Sequence, residues 1–161
     1  MTTSPAYFEL NFRPNVILVS VVRRFVTEFY RRFFDPDSTS RVALATHELL
    51  ENAVKYAKDG ETTIRIQVGT STPTTVEIVL RNRARDENIA QIRELLAGLA
   101  RAATPHDFYQ ALLVEKAKVK DGSGLGIARV VAEGEMAVRY EVVDGDIVVI
   151  SATTTVGPQG R

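Results

Sequence analysis

Thr46-His47-Glu48-Leu49-Leu50-Glu51-Asn52-Ala53-Val54-Lys55-Tyr56-Ala57 and Gly122-Ser123-Gly124-Leu125-Gly126-Ile127-Ala128 are the two stretches that decide how this chain is read. The first has helical spacing, and residues three or four apart share a helix face. Leu44, Glu48, Asn52 and Lys55 therefore form one line. An acid, an amide and an ammonium in line suit a metal–phosphate site. The carboxylate accepts a proton, the amide oxygen suits a hard cation, and the lysine meets phosphate charge. Mg²⁺ prefers oxygen ligands and often takes only one or two from protein. Taken alone, the same line is also an ordinary wet helix face with i,i+4 pairing, which is the simpler reading. In the second stretch, glycines let backbone N–H groups approach a phosphate, and a helix N-terminus favours an anion. It is not a dinucleotide fingerprint, because Val114 to Lys120 is charged and helical in character rather than a strand. It is not a P-loop either, because no Gly-Lys-Ser/Thr follows. A bare glycine turn can equally be a flexible connector.

Upstream of these stretches, Tyr7 to Phe12 alternates apolar and polar residues and reads as a strand ended by Pro14. Pro14 or Asn15 then opens a helix to about Phe34, with Leu18, Val21, Val22, Phe25, Phe29 and Phe33 on one face. Asp35-Pro36-Asp37-Ser38 reads as a turn, and Ser38 or Ser40 as the cap of the next helix. That helix runs to about Ala57, where Lys58-Asp59-Gly60 is expected to stop it. Thr62 to Val68 and Thr75 to Leu80 are rich in β-branched residues and read as a hairpin. Ile89 to Ala103 and Phe108 to Lys118 have helical spacing, split by Thr104-Pro105. A short helix follows the glycine stretch to about Glu133. Met136 to Val143 and Ile147 to Thr154 flank Asp144-Gly145, a strong hairpin signal.

Strands that come in hairpins favour an α/β chain of the α+β, two-layer sandwich kind: a mixed, mainly antiparallel sheet with helices on one face. A doubly wound parallel sheet is the weaker alternative. With 161 residues the chain is expected to be one domain over residues 1–155, with a frayed tail over 156–161.

Composition narrows the function. There is no cysteine, which removes disulfides, thiolate nucleophiles and Cys-ligated metals. Lys+Arg and Asp+Glu number 20 each, so the net charge is zero. That argues against direct nucleic-acid binding, which is mostly phosphate neutralisation. The N-terminus lacks a signal-peptide layout, and Val16 to Val22 falls far short of the roughly 20 residues that cross a bilayer. A soluble, cytoplasmic protein with no membrane contact is expected. His47 and His106 are the two histidines. His47 lies about 100° round the helix from Glu48 and reads as a surface or partly buried structural residue. Tyr56 reads as core, and Phe25, Phe29, Phe33 and Phe34 as core or interface.

Together the two stretches carry more than either alone. Glu-x-x-x-Asn on a helix, a hairpin, and then Gly-x-Gly-x-Gly resembles the GHKL ATPase superfamily of gyrase, histidine kinases and MutL. Asn52-Ala53-Val54-Lys55-Tyr56 is similar to the asparagine box of histidine kinases, and Gly122 to Ala128 to their second glycine box. The resemblance spans roughly residues 7 to 155 and implies the Bergerat ATP-binding fold with ATP and Mg²⁺ as cofactors. It implies that Asn52 binds the metal and nucleotide, that Glu48 is the catalytic base, and that Lys55 touches phosphate. Gly122, Ser123, Gly124, Leu125 and Gly126 would close over the triphosphate. The family's adenine box, Asp-x-Gly-x-Gly, is replaced by Asn82-Arg83-Ala84-Arg85-Asp86. Asn82 would still meet the adenine amine but without charge, and charge-assisted bonds are roughly twice as strong. Ala84 adds a Cβ where the resemblance implies a bare backbone. The three arginines Arg81, Arg83 and Arg85 could meet phosphates or be solvated.

The compact form resembles the stand-alone bacterial anti-sigma factor and partner-switching serine kinases. That resemblance implies a regulatory protein partner, a sigma factor or a STAS-type antagonist, and allows a homodimer. The insertion from Ile89 to Lys118 would be the lid over ATP. The contrasting expectation is a catalytically inactive binding module that kept the fold and lost nucleotide turnover. A bare ATP hydrolase ranks below both.

Overall fold

Side-chain caps set where the first two helices begin. The computed structural model describes residues 6–13, 15–119 and 124–160. Strand β1 spans Ala6–Phe12. Asn15 then accepts the Leu18 N–H at 2.9 Å and opens helix α1, Val16–Phe33. Asp35 caps helix α2, Pro36–Tyr56, by accepting the Ser38 N–H at 2.7 Å. Pro36 occupies the first helical position, where a missing N–H costs nothing. The expected turn at Asp35–Ser38 is therefore the start of α2 itself, and Asp35 rather than Ser38 or Ser40 is its cap.

Helix α2 passes directly into strand β2, Ala57–Val68. Lys58, Asp59 and Gly60, expected to stop the helix, lie within that strand, whose register with β3 shifts between Ala57 and Thr62. Strand β3, Thr74–Ala84, runs past Leu80 and carries Asn82 inside the sheet. Helices α3 (Asp86–Arg101), α4 (Pro105–Val119) and α5 (Leu125–Ala132) precede strands β4 (Ala137–Val143) and β5 (Ile147–Val156). Asp144 and Gly145 turn between the last two strands with φ of 51° and 84°. Two consecutive positive-φ residues are what a tight turn twisted like its strands requires.

The sheet order is β1-β2-β3-β5-β4, and every described neighbouring pair is antiparallel. Strand alternation points Ile64, Ile66, Val76, Ile78, Leu80, Val148 and Ile150 to one face, where they are buried. Arg65, Glu77 and Arg81 alternate to the opposite, exposed face. Val22, Val26 and Tyr30 of α1 and Val42, Leu49 and Leu50 of α2 join the buried face in one core. The two-layer sandwich expected from the sequence is what forms. Tyr30 donates to Thr46 Oγ1 at 2.7 Å, and Thr46 donates to the Val42 carbonyl at 2.8 Å, tying α1 to α2 inside the core. Burial pushes the Tyr30 phenol well above its ordinary range.

Residues 157–159, part of the tail expected to fray, are pinned at the α1–α2 junction. Gly157 accepts the Asp35 N–H at 3.0 Å and donates to Ser38 Oγ at 2.9 Å, and Gln159 donates to the Phe33 carbonyl at 3.2 Å. No described helix is long and apolar enough to cross a membrane.

Candidate functional site

The site starts on α2. Glu48, Asn52 and Lys55 rise along one face and meet Gly126, the second residue of α5, around a shared recess. A Cβ on Gly126 would lie 3.0 Å from Glu48 Oε2 and 3.6–3.7 Å from the Asn52 amide. Glycine is thus what lets the first turn of α5 come this close to α2. Gly124 caps α5 with φ 85°, a left-handed conformation. Lys55 Nζ lies 5.2 Å from the centre of the Tyr56 ring. Tyr56, expected in the core, is half-buried and lines the recess, because it stands one residue from the exit of α2 into β2.

Glu48 is ion-paired. Its Oε1 accepts from Arg129 Nη1 at 3.0 Å, while Arg129 Nε donates to Glu133 at 2.8 Å. The hydrogen bond with Glu133 is the main reason that Arg129 titrates above its ordinary value, and Glu48 adds to it. Tyr109, the one buried residue of α4, lies beside this cluster. Its phenol is raised, first by burial and then by the Glu133 charge.

Asn52 also lines a second cavity, a slot of about 550 Å³ including its mouth. Its enclosed part is about 50 Å³. Its walls are apolar: Leu80 of β3, Ile92 and Leu95 of α3, Ile127 of α5, Val148 and Ile150 of β5. Asn82 and Ala84 face into it from β3, Asn88 and Gln91 from α3, and Gly124 from the start of α5. Arg81 and Arg83 alternate to the exposed face, where Arg83 pairs with Asp146 at 3.0 Å, and Arg85 is exposed just before α3. Their arrangement favours the solvated reading.

The structure thus brings Glu48, Asn52, Lys55 and Gly126 to one recess, and Asn52, Asn82 and Gly124 to the adjoining slot. Leu125 is half-buried and lines neither. Gly122 and Ser123 lie outside the described residues. Among the described residues there is no cluster of three or more His, Cys, Asp or Glu that could hold a metal. A cation here would rest on the Asn52 amide oxygen together with ligand and water oxygens. That sparse oxygen set is compatible with Mg²⁺, which keeps several waters.

A family model described as a histidine kinase-like ATPase domain matches residues 12–132, a span holding Glu48, Asn52, Asn82 and Gly126. The chain belongs to the histidine kinase-like ATPase domain family. Among solved structures, a chain of the SiaB–SiaC complex from Pseudomonas aeruginosa is similar, with a TM-score of 0.61 and 14% identity. The match covers 92% of this chain and 89% of that chain, and at this identity it speaks to the fold alone. No curated protein sequence matches the chain.

Several residues of this histidine kinase-like domain's site escaped the sequence reading. Arg129 carried one local signal, its i,i+4 spacing to Glu133, which says nothing about Glu48. Asn88 and Gln91 belong to the polar side of an amphipathic helix, and nothing local distinguishes them from solvated amides. Thr62 reads as an ordinary strand residue. Its partner in register is Asn82, it is 1% exposed, and among the described residues its Oγ1 has no hydrogen-bond partner.

Proposed function

We propose that this domain binds Mg-ATP in the cleft formed by α2, β3, α3 and α5 and uses it to control the hold on a protein partner, as stand-alone anti-sigma factor and partner-switching serine kinases do. The observation that carries this reading is the convergence on Asn52. Its amide adjoins both the apolar slot, which suits a base, and the Glu48–Gly126 recess, which suits phosphates.

Asn52 Oδ1 would hold Mg²⁺, which when bound neutralises phosphate charge. Lys55 at the rim adds a second positive charge, and the α5 N-terminus presents free N–H groups. Arg129 fixes the Glu48 carboxylate through Oε1, while Oε2 stays on the Gly126 side. In a kinase step Glu48 Oε2 would take the proton from a substrate serine. The serine oxygen would form a bond to the γ-phosphorus, and the bond to the leaving oxygen would break to release ADP. The similar fold found in a two-protein complex supports a regulatory protein partner, a STAS-type antagonist or a sigma factor by resemblance.

A second reading has its own support. Asn82 and Ala84 replace the family's acid and glycine, and the Glu48 carboxylate is already engaged by Arg129. These features favour a binding module that does not turn nucleotide over.

Calorimetric titration with Mg-ATP tests the first reading. Asn52→Ala is expected to weaken binding about tenfold or more, the scale of losing a metal-linked polar contact. No binding at millimolar ATP, or an Asn52→Ala variant indistinguishable from wild type, overturns it. Binding without phosphate transfer to any serine-bearing STAS domain, and with Glu48→Gln unchanged, moves the conclusion to the binding module.

A further inference from the structure

We infer that the slot beside Asn82 takes 6-oxopurine nucleotides, such as guanine nucleotides, as readily as adenine nucleotides, because neutral amides meet the base edge where a carboxylate would filter it. This inference rests on the nucleotide reading above and assigns the class of base.

Asn82 is 8% exposed and is turned toward the slot by strand alternation. The one hydrogen bond of its side chain among the described residues, from Nδ2 to the Arg83 carbonyl, is 3.5 Å long. At that length it does not hold the amide in one orientation. Directly across the β2–β3 pair stands Thr62, whose hydroxyl has no partner among the described residues. Residues opposite each other in such a pair have Cβ atoms about 4.5–5.5 Å apart, so Thr62 flanks Asn82 without lining the slot. Asn88 and Gln91 face the slot from the α3 wall, and no charged side chain lines it among the described residues.

A side-chain amide carries one acceptor oxygen and a donor NH₂. Adenine presents a 6-amino donor beside the N1 acceptor. Guanine and hypoxanthine present a 6-oxo acceptor beside an N1–H donor. With Oδ1 toward the 6-position, Asn82 accepts from the amino group and donates to N1. Turned by 180°, it donates to O6 and accepts from N1–H. A carboxylate has acceptors only, so it pairs with the amino group and opposes O6. Specificity of this kind comes from rejecting the wrong partner, and Asn82 removes the rejecting group.

Calorimetry on the whole chain with Mg-ATP and Mg-GTP decides the matter. In wild type the two Kd values are expected to agree within about fivefold. Asn82→Asp is expected to shift their ratio toward ATP by more than about fivefold. Asn82→Ala is expected to weaken both nucleotides alike, which keeps the test open should the aspartate variant fail to fold. A wild-type preference beyond about fivefold in either direction overturns the inference while the nucleotide site stands. Binding of neither nucleotide overturns both.

Discussion

Helices α1 and α2 bury Val19, Val22, Val26 and Tyr30, and Ser38, Thr39, Val42, Ala45, Thr46, Leu49, Leu50 and Ala53. Helices α3 and α4, of similar length, bury Ile89 and Tyr109 alone. Helix α2 of the first pair and helix α3 of the second border the same cleft. The first pair presents Glu48 and Asn52 from a wall that is continuous with the core. The second presents Asn88, Gln91, Ile92 and Leu95 from a wall held by few buried contacts. Elements with little buried apolar area open at lower free energy than the core. The groups proposed for metal and phosphate therefore stand on the rigid wall, and part of the proposed base pocket stands on the wall that opens.

The largest expected effect tests that contrast directly. Leu50→Ala removes a fully buried side chain and is expected to cost about 2–5 kcal/mol in denaturant unfolding. Leu95→Ala on α3, which lines the slot and is only half-buried, is expected to cost clearly less and to act mainly on nucleotide affinity. Equal losses in stability would erase the distinction between the walls.

A smaller effect probes their junction. Gly126→Ala places a methyl about 3.0 Å from Glu48 Oε2, which must shift along with the Arg129 pair it shares. Overpacking of this kind costs about 1–3 kcal/mol. Mg-ATP affinity should fall with it, and unchanged melting and affinity would place α5 farther from α2.

The smallest effect concerns the two buried phenols, Tyr30 in the core and Tyr109 in α4. Both titrate above the ordinary value of 10.0 because burial disfavours the charged form. Stability drawn from keeping each neutral is complete below the ordinary tyrosine pKa and is lost as pH rises through the folded value. Spectrophotometric titration should show late-ionising tyrosines among the five, one fewer in Tyr109→Phe. An unchanged late fraction would put Tyr109 in solvent and α4 off α5.

Much of the fold was legible because its signals are local. β-Branched runs marked Thr62 to Val68 and Thr75 to Leu80 as a hairpin, and Asp144-Gly145 marked the last one. The cap of α2 lies three to five residues before the expected one because Asp35, Ser38 and Ser40 are all competent caps, and Pro36 at the first helical position decides between them. Tyr56 was misassigned because an aromatic at helical spacing carries the same pattern whether it meets core or cavity.

By its own periodicities the sequence determined the order of helices and strands, the line of Glu48, Asn52 and Lys55 on α2, and the glycine that lets α5 approach. Repeats of two residues in strands and of three or four in helices are written into neighbouring positions. Tertiary structure alone decided that Arg129 reaches Glu48 across 81 positions of chain, that Thr62 stands opposite Asn82, and that α3 turns its amides toward the slot. Those pairings depend on strand register and helix packing, which bring together residues that no local pattern relates.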